Sequence, residues 1–117
     1  MANLADTLKI LGQIVGSASE KVLYVVPEGT ETTLSSIYIC RNAGTNATYR
    51  IAVRKNGAGY NTPVSTEQWI AYDSSLWANT TDTIGVGITL SDNDDIVVYS
   101  SDGDVVFSCY GVETTGD

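Results

Sequence analysis

The chain has no histidine, two cysteines, two prolines and only six basic residues among 117. Each scarcity removes a class of function. Without histidine, the side chain best suited to proton transfer near neutral pH is missing, and so is the commonest metal ligand. Glu20, Glu28, Glu31, Glu67 and Asp73 could supply the paired carboxylates a glycosidase uses, but any acidic strand-rich chain offers that choice. We therefore expect no enzyme, no cofactor and no metal site. Cys40 and Cys109 lie far apart in strand-like runs, without the spacing of a zinc ribbon or redox motif. They are expected to be buried reduced thiols, because a disulfide requires Cα atoms within about 7 Å. The bases, Lys9, Lys21, Arg41, Arg50, Arg54 and Lys55, face fourteen acids, giving a formal charge of −8. That balance repels a polyanion, and Arg50, Arg54 and Lys55 match no binding motif, so nucleic acid is not an expected partner. No apolar run approaches the ~18–20 residues of a membrane span, and residues 1–16 lack the basic start and long apolar run of a secretory signal.

What the chain does contain is short runs of alternating apolar and polar residues, bounded by turn formers and too closely spaced to admit helices between them. The pattern predicts one domain, an antiparallel β-sandwich of jelly-roll type with about eight strands. Residues 1–16 form an N-terminal arm or first strand, 17–114 the sandwich, and 115–117 a frayed tail. The first strand covers Thr7 to Val15, although Leu8, Leu11 and Val15 also fit one helical face. Lys21 to Val26 follows, stopped by Pro27, and then Thr32 to Arg41 with Ile37 and Ile39 on one face. In Ala47 to Lys55, Tyr49, Ile51 and Val53 alternate with Arg50, Ala52 and Arg54, which places the arginines towards solvent or a partner. The segment Asn56 to Thr66 is the longest irregular stretch and reads as a projecting loop with Tyr60 near its tip.

Glu67 to Tyr72 is the next strand. It leads into a connection, Asp73 to Asn79, whose Leu76 and Trp77 are expected to anchor it on the core. Thr83 to Leu90 is the clearest core strand, with Ile84, Val86, Ile88 and Leu90 on one face and Gly85 and Gly87 leaving the other bare. Ile96 to Ser100 and Val105 to Val112 flank Ser101-Asp102-Gly103-Asp104, and the Asp-Gly pair predicts a β-hairpin between them.

Asp92-Asn93-Asp94-Asp95 offers oxygen ligands for calcium but lacks a full loop pattern, and it reads instead as a turn whose Asp and Asn bond their own backbone. Asn56-Gly57-Ala58-Gly59 opens no helix and so is no phosphate cradle. Tyr60, Trp69 and Trp77 could line a carbohydrate groove or anchor an interface. Trp69, inside a strand, reads as core, and Tyr60 is the aromatic singled out.

Taken in order, Lys9-Ile10-Leu11-Gly12-Gln13, Leu23-Tyr24-Val25-Val26-Pro27, Ser35 to Asn42, Tyr49 to Val53, Trp69-Ile70-Ala71-Tyr72-Asp73, Ile84 to Leu90, Ile96 to Ser101 and Phe107 to Glu113 form a series. The series resembles the small virion structural proteins of tailed phages, particularly those infecting cyanobacteria. The resemblance spans nearly the whole chain and implies a β-sandwich whose work is attachment to a larger particle. It implies a head decoration, or cement, protein that oligomerises as a trimer and clamps neighbouring major capsid protein subunits on the outer capsid surface, after residence in the host cytoplasm. Leu4, Leu8, Ile10 and Tyr60 are the candidate partner-interface residues, with an arm of Ala2 to Gly12 adding a strand to a capsid edge. The alternatives are a tail, neck or fibre-base adaptor, and a carbohydrate-binding module that stacks sugars on Trp69, Trp77 or Tyr60.

Overall fold

The alternating runs form eight strands in a computed structural model that describes residues 5–55, 64 and 66–115. They are β1 (Ala5–Val15), β2 (Lys21–Val25), β3 (Thr30–Arg41), β4 (Ala47–Arg54), β5 (Trp69–Leu76), β6 (Thr81–Leu90), β7 (Asp95–Ser100) and β8 (Val105–Thr115), with a 3-10 turn at Thr66–Gln68. Two four-stranded sheets, ordered β1-β8-β3-β6 and β2-β7-β4-β5, are antiparallel throughout. Every connection except that from β4 to β5 passes from one sheet to the other. This is the jelly-roll β-sandwich that the alternation predicts. Residues Leu8, Leu11 and Val15 lie on a strand, not a helix, and β1 pairs with β8 of its own chain from Ala5 to Val15.

The inward faces explain why the sheets pack. Leu34, Ile37 and Ile39 of β3 and Val105, Phe107 and Cys109 of β8 meet Ile51 of β4, Leu76 of β5 and Ile96 and Val98 of β7, all fully buried. Tyr49 meets Phe107 edge-on across the sandwich, with ring centroids 6.4 Å apart, a favoured aromatic arrangement. Bulges at Leu11, Leu23 and Ser35 add one residue to β1, β2 and β3, and in β3 the extra residue lets Leu34 and Ile37, three positions apart, both point inward. Polar clasps close the two ends. At one, Tyr24 donates to Glu113, whose carboxylate also meets Lys9 Nζ at 2.5 Å, and the Tyr24 and Thr32 hydroxyls lie 2.8 Å apart. At the other, the buried Arg41 guanidinium donates to both Asp102 oxygens and to the Thr45 carbonyl and hydroxyl.

Several expectations are corrected by this topology. The predicted hairpin between Ile96 to Ser100 and Val105 to Val112 does not form: β7 pairs with β2 and β4, whereas β8 pairs with β1 and β3. Both runs are central strands and each needs two neighbours. Ser101 to Asp104 crosses the sandwich instead, a span of about 10 Å between packed sheets that four residues readily cover. Gly103 accordingly lacks the positive φ of a type I′ turn, and Asp102 is engaged by Arg41.

β6, expected as the clearest core strand, is a sheet edge. Leu90 is buried, Ile84 and Ile88 are half-buried, and a Cβ at Gly85 or Gly87 would meet open space. The stretch Asp73 to Leu76 continues β5 rather than connecting. Leu76 is buried, but Trp77 points outward, 64% exposed, because neighbouring residues of an extended chain face opposite ways. Cys40 is exposed and Cys109 buried, both free thiols. They sit on adjacent strands opposite Val106 and Ile37, facing opposite sides of the sheet, which rules out a bond between them.

Candidate functional site

With the register known, the outer face of each sheet can be read residue by residue, since directly opposed residues share a face. On the β1-β8-β3-β6 sheet four successive rows lie on the outer side: Val15, Val106, Cys40 and Thr81; Gln13, Ser108, Tyr38 and Thr83; Ile10, Tyr110, Ser36 and Gly85; and Val112, Thr33 and Thr89, in register with the backbone of Leu8. None of these positions carries a charge. In a chain of net charge −8, those four rows are a neutral patch on an acidic molecule, and charge resumes in the next row, where exposed Glu31 stands opposite Thr114. Ile10 is 51% exposed, Val15 52% and Tyr38 40%, and Tyr38 packs edge-on against Tyr110 at 5.1 Å.

Of the four interface candidates read from the sequence, Ile10 therefore stands exposed within this face, and the backbone of Leu8 lies in its last row. Leu4 and Tyr60 lie outside the described residues. Tyr38 and Tyr110 escaped sequence reasoning. They alternate with buried neighbours, a visible signal, but a tyrosine at an outward position has no distinguishing mark until the strands beside it are known.

The outer face of the β2-β7-β4-β5 sheet is built differently. A bulge in β5 leaves Tyr72 and Asp73 together opposite Arg50, and Asp73 adopts a left-handed φ of 51°, which aspartate tolerates better than most residues. Arg50 Nε and Nη2 donate to the two Asp73 oxygens at 2.6 and 3.2 Å. Its guanidinium carbon lies 4.1 Å from the Tyr72 ring centre and 4.4 Å from that of Tyr99, within cation–π range. The paired guanidinium holds the Asp73 carboxyl below the usual carboxylate range. Trp69, expected as core, is half-buried here and meets Tyr72 edge-on, their planes at 72°.

Arg54, expected to face solvent, faces outward but is buried. It stands opposite Asp95 on β7 and donates to it through Nε at 2.9 Å and Nη2 at 2.7 Å. The turn Asp92 to Asp95 is likewise occupied by backbone: Asp94 accepts from Ser91 N–H at 2.9 Å and Asp92 from Gly29 N–H at 3.3 Å. Among the described residues no cluster of three His, Cys, Asp or Glu side chains could hold a metal ion.

Two open depressions border the second sheet. One, of about 270 Å³, is lined by Thr66, Trp69 and Tyr72. The other, of about 280 Å³, is lined by Asn46, Ala47, Thr48, Ser75, Trp77 and Ser101. The two tryptophans thus belong to separate sites and form no shared coplanar platform.

No protein-family pattern and no curated protein matches the sequence. Solved structures do share its fold. A chain of the T13 viral particle of IBDV superposes on 98% of this chain with a TM-score of 0.53 at 11% identity. A chain of infectious bursal disease virus, Gx strain, superposes on all of it with a TM-score of 0.51 at 13% identity. This chain spans 31% and 32% of those two chains. At such identities the likeness is one of fold, a jelly roll that also occurs within chains of a virus particle.

Proposed function

We propose that the protein is a virion structural protein of a tailed phage, a head decoration protein that oligomerises as a trimer and seats on the outer capsid surface across neighbouring major capsid protein subunits. The observation that carries this reading is the patch of four charge-free rows on the outer face of the β1-β8-β3-β6 sheet, set in an otherwise acidic jelly roll. Exposed apolar side chains with uncharged hydroxyl and amide neighbours are the composition of an interface core, from which charge is depleted. The acidic remainder keeps an abundant free protein soluble before assembly. The jelly rolls in virus-particle chains support the same reading at the level of architecture. The work is binding rather than catalysis. Ile10 lies within the contact, and β1, as a sheet edge, has one side free to add to a neighbour's sheet.

Cryo-electron microscopy of the virion with the protein's density assigned tests this directly. Density at capsomer junctions, with the β1-β8-β3-β6 sheet turned towards the shell or towards a neighbouring copy, is the expected result. Density confined to the tail or neck would overturn the head assignment in favour of an adaptor. Attachment through the β2-β7-β4-β5 face would overturn the choice of surface.

A further inference from the structure

We propose that the depression beside Trp77 is a binding site for a neutral sugar ring. Trp77 directly follows the fully buried Leu76 at the end of β5, and 64% of its surface is open, the largest exposure among the described large apolar residues. The turn beneath it is fixed. Its carbonyl accepts from Thr80 Oγ1 at 2.7 Å, the next N–H, of Ala78, donates to Asn46 Oδ1 at 2.9 Å, and Asn79 donates to the Ala43 carbonyl at 3.1 Å. Asn79 takes the left-handed φ of 54° that asparagine tolerates in turns. With its backbone pinned, only the two side-chain torsions of Trp77 remain to be fixed when a ligand stacks on the indole.

The remaining walls fit one ligand class. Asn46, Thr48, Ser75 and Ser101 contribute amide and hydroxyl groups, and none of the described lining residues is charged. Ser101 Oγ accepts the Thr48 N–H at 3.1 Å, which leaves its hydroxyl hydrogen to donate. A pyranose presents an apolar C–H face for the indole and a rim of hydroxyls that both donate and accept, matching this mixture. A peptide side chain would find a single aromatic ring and, apart from Ala47, walls of amide and hydroxyl residues. The volume, about 280 Å³, lies just under the ~300–1,000 Å³ of drug-sized pockets and suits a single ring. An acidic sugar is disfavoured by the net charge of −8.

A site with one stacking ring binds a single sugar weakly. If the protein coats a particle in many copies, as the proposed function holds, multivalency raises the effective affinity by about 10²–10⁴.

The experiment is a titration of the ¹⁵N-labelled protein with the methyl glycosides of glucose, galactose, mannose and N-acetylglucosamine, followed by ¹H–¹⁵N correlation spectra. The two tryptophans supply two indole N–H signals. We expect a saturable shift of the Trp77 indole and of the Ala78 and Ser101 amides with at least one of the four sugars, while the Trp69 indole stays in place. Trp77→Ala abolishes the response with the rest of the spectrum retained, Thr48→Val weakens it several-fold, and N-acetylneuraminic acid gives none. No saturable Trp77 shift with any of the four, a shift shared equally by Trp69, a response surviving Trp77→Ala, or equal binding of the acidic sugar would each overturn the proposal. Because the readout is on the free protein, failure here leaves the virion assignment standing, and failure of particle attachment leaves the sugar site standing.

Discussion

Replacing Ile10 by Glu puts a carboxylate into the neutral patch of the β1-β8-β3-β6 sheet. Ile10 is 51% exposed, so about half of the ~1.5–3 kcal/mol for complete burial of an isoleucine, roughly 1 kcal/mol, remains for a partner to gain. A buried carboxylate without a partner costs at least a further ~1–3 kcal/mol, the figure for a neutral polar group. The total of at least about 2–4 kcal/mol corresponds to a contact weakened roughly 30- to 1,000-fold or more at each site. The free protein should hardly notice, since surface substitutions usually stay within about 0.5 kcal/mol. The assay is rebinding of purified protein to stripped particles, with copies per particle measured by gel densitometry and the urea midpoint of the free protein measured alongside. Ile70→Glu, at a residue 43% exposed on β5 at the edge of the opposite sheet, is the control and should bind as the wild type does. Wild-type retention of the Ile10 variant, or equal loss by both variants, refutes the assignment of the face.

Removing one member of the buried Arg54–Asp95 pair leaves a fully buried charge, so Arg54→Ala should cost about 3–5 kcal/mol in urea unfolding, whereas the double replacement Arg54→Met with Asp95→Leu should be neutral or stabilising. Burial opposes ionisation of Glu113, but hydrogen bonds from Lys9 and Tyr24 outweigh it and its pKa lies below the ordinary value. Its contribution to stability is therefore present above an unfolded pKa of about 4.3 and is lost as pH falls through the lower folded value. Glu113→Gln should flatten the fall of the urea midpoint with acid below about pH 5, and an unchanged acid limb would contradict this. A thiol reagent should label one cysteine, Cys40, in the native protein and both in urea, because burial excludes Cys109 and pushes its pKa up to about 12. Rapid native labelling of both thiols would contradict the register of β8.

The strands were legible because their signal is local. In β3, Ile37 and Ile39 share the inward face as the sequence leads one to expect, whereas Cys40, expected buried, falls on the exposed face with Tyr38. The pairings were not, because alternation gives only inside and outside, and in a jelly roll almost every connection leaves its sheet. The Asp102-Gly103 turn shows the consequence: a strong hairpin signal lies between strands whose partners are remote in sequence. The same gap hides the ion pairs. Arg50 and Arg54, four residues apart on β4, were visible as one face. Nothing local tied them to Asp73 and Asp95, which reach them through a bulge and a neighbouring strand. Trp77 was misread for a related reason, since an apolar pair in extended chain can bury only one of its members, and here it is Leu76.

The distribution of charge carries one further consequence. Lys9, Arg41, Arg50 and Arg54 are paired within the chain to Glu113, Asp102, Asp73 and Asp95, and none of these residues lies in the four neutral rows. Attachment through those rows gains little from Coulomb attraction, whereas copies crowded on one particle, each of net charge −8, repel one another. Salt shortens the reach of that repulsion from about 10 Å at ~0.1 M to about 3 Å at ~1 M and slightly strengthens apolar contact when the anion is excluded from the surface. Retention on particles should therefore hold steady or rise as sodium sulfate is added. Attachment by acidic side chains to a basic partner surface would instead weaken with salt, so a steep release of protein under those conditions would place the contact on the charged surfaces and off the neutral patch.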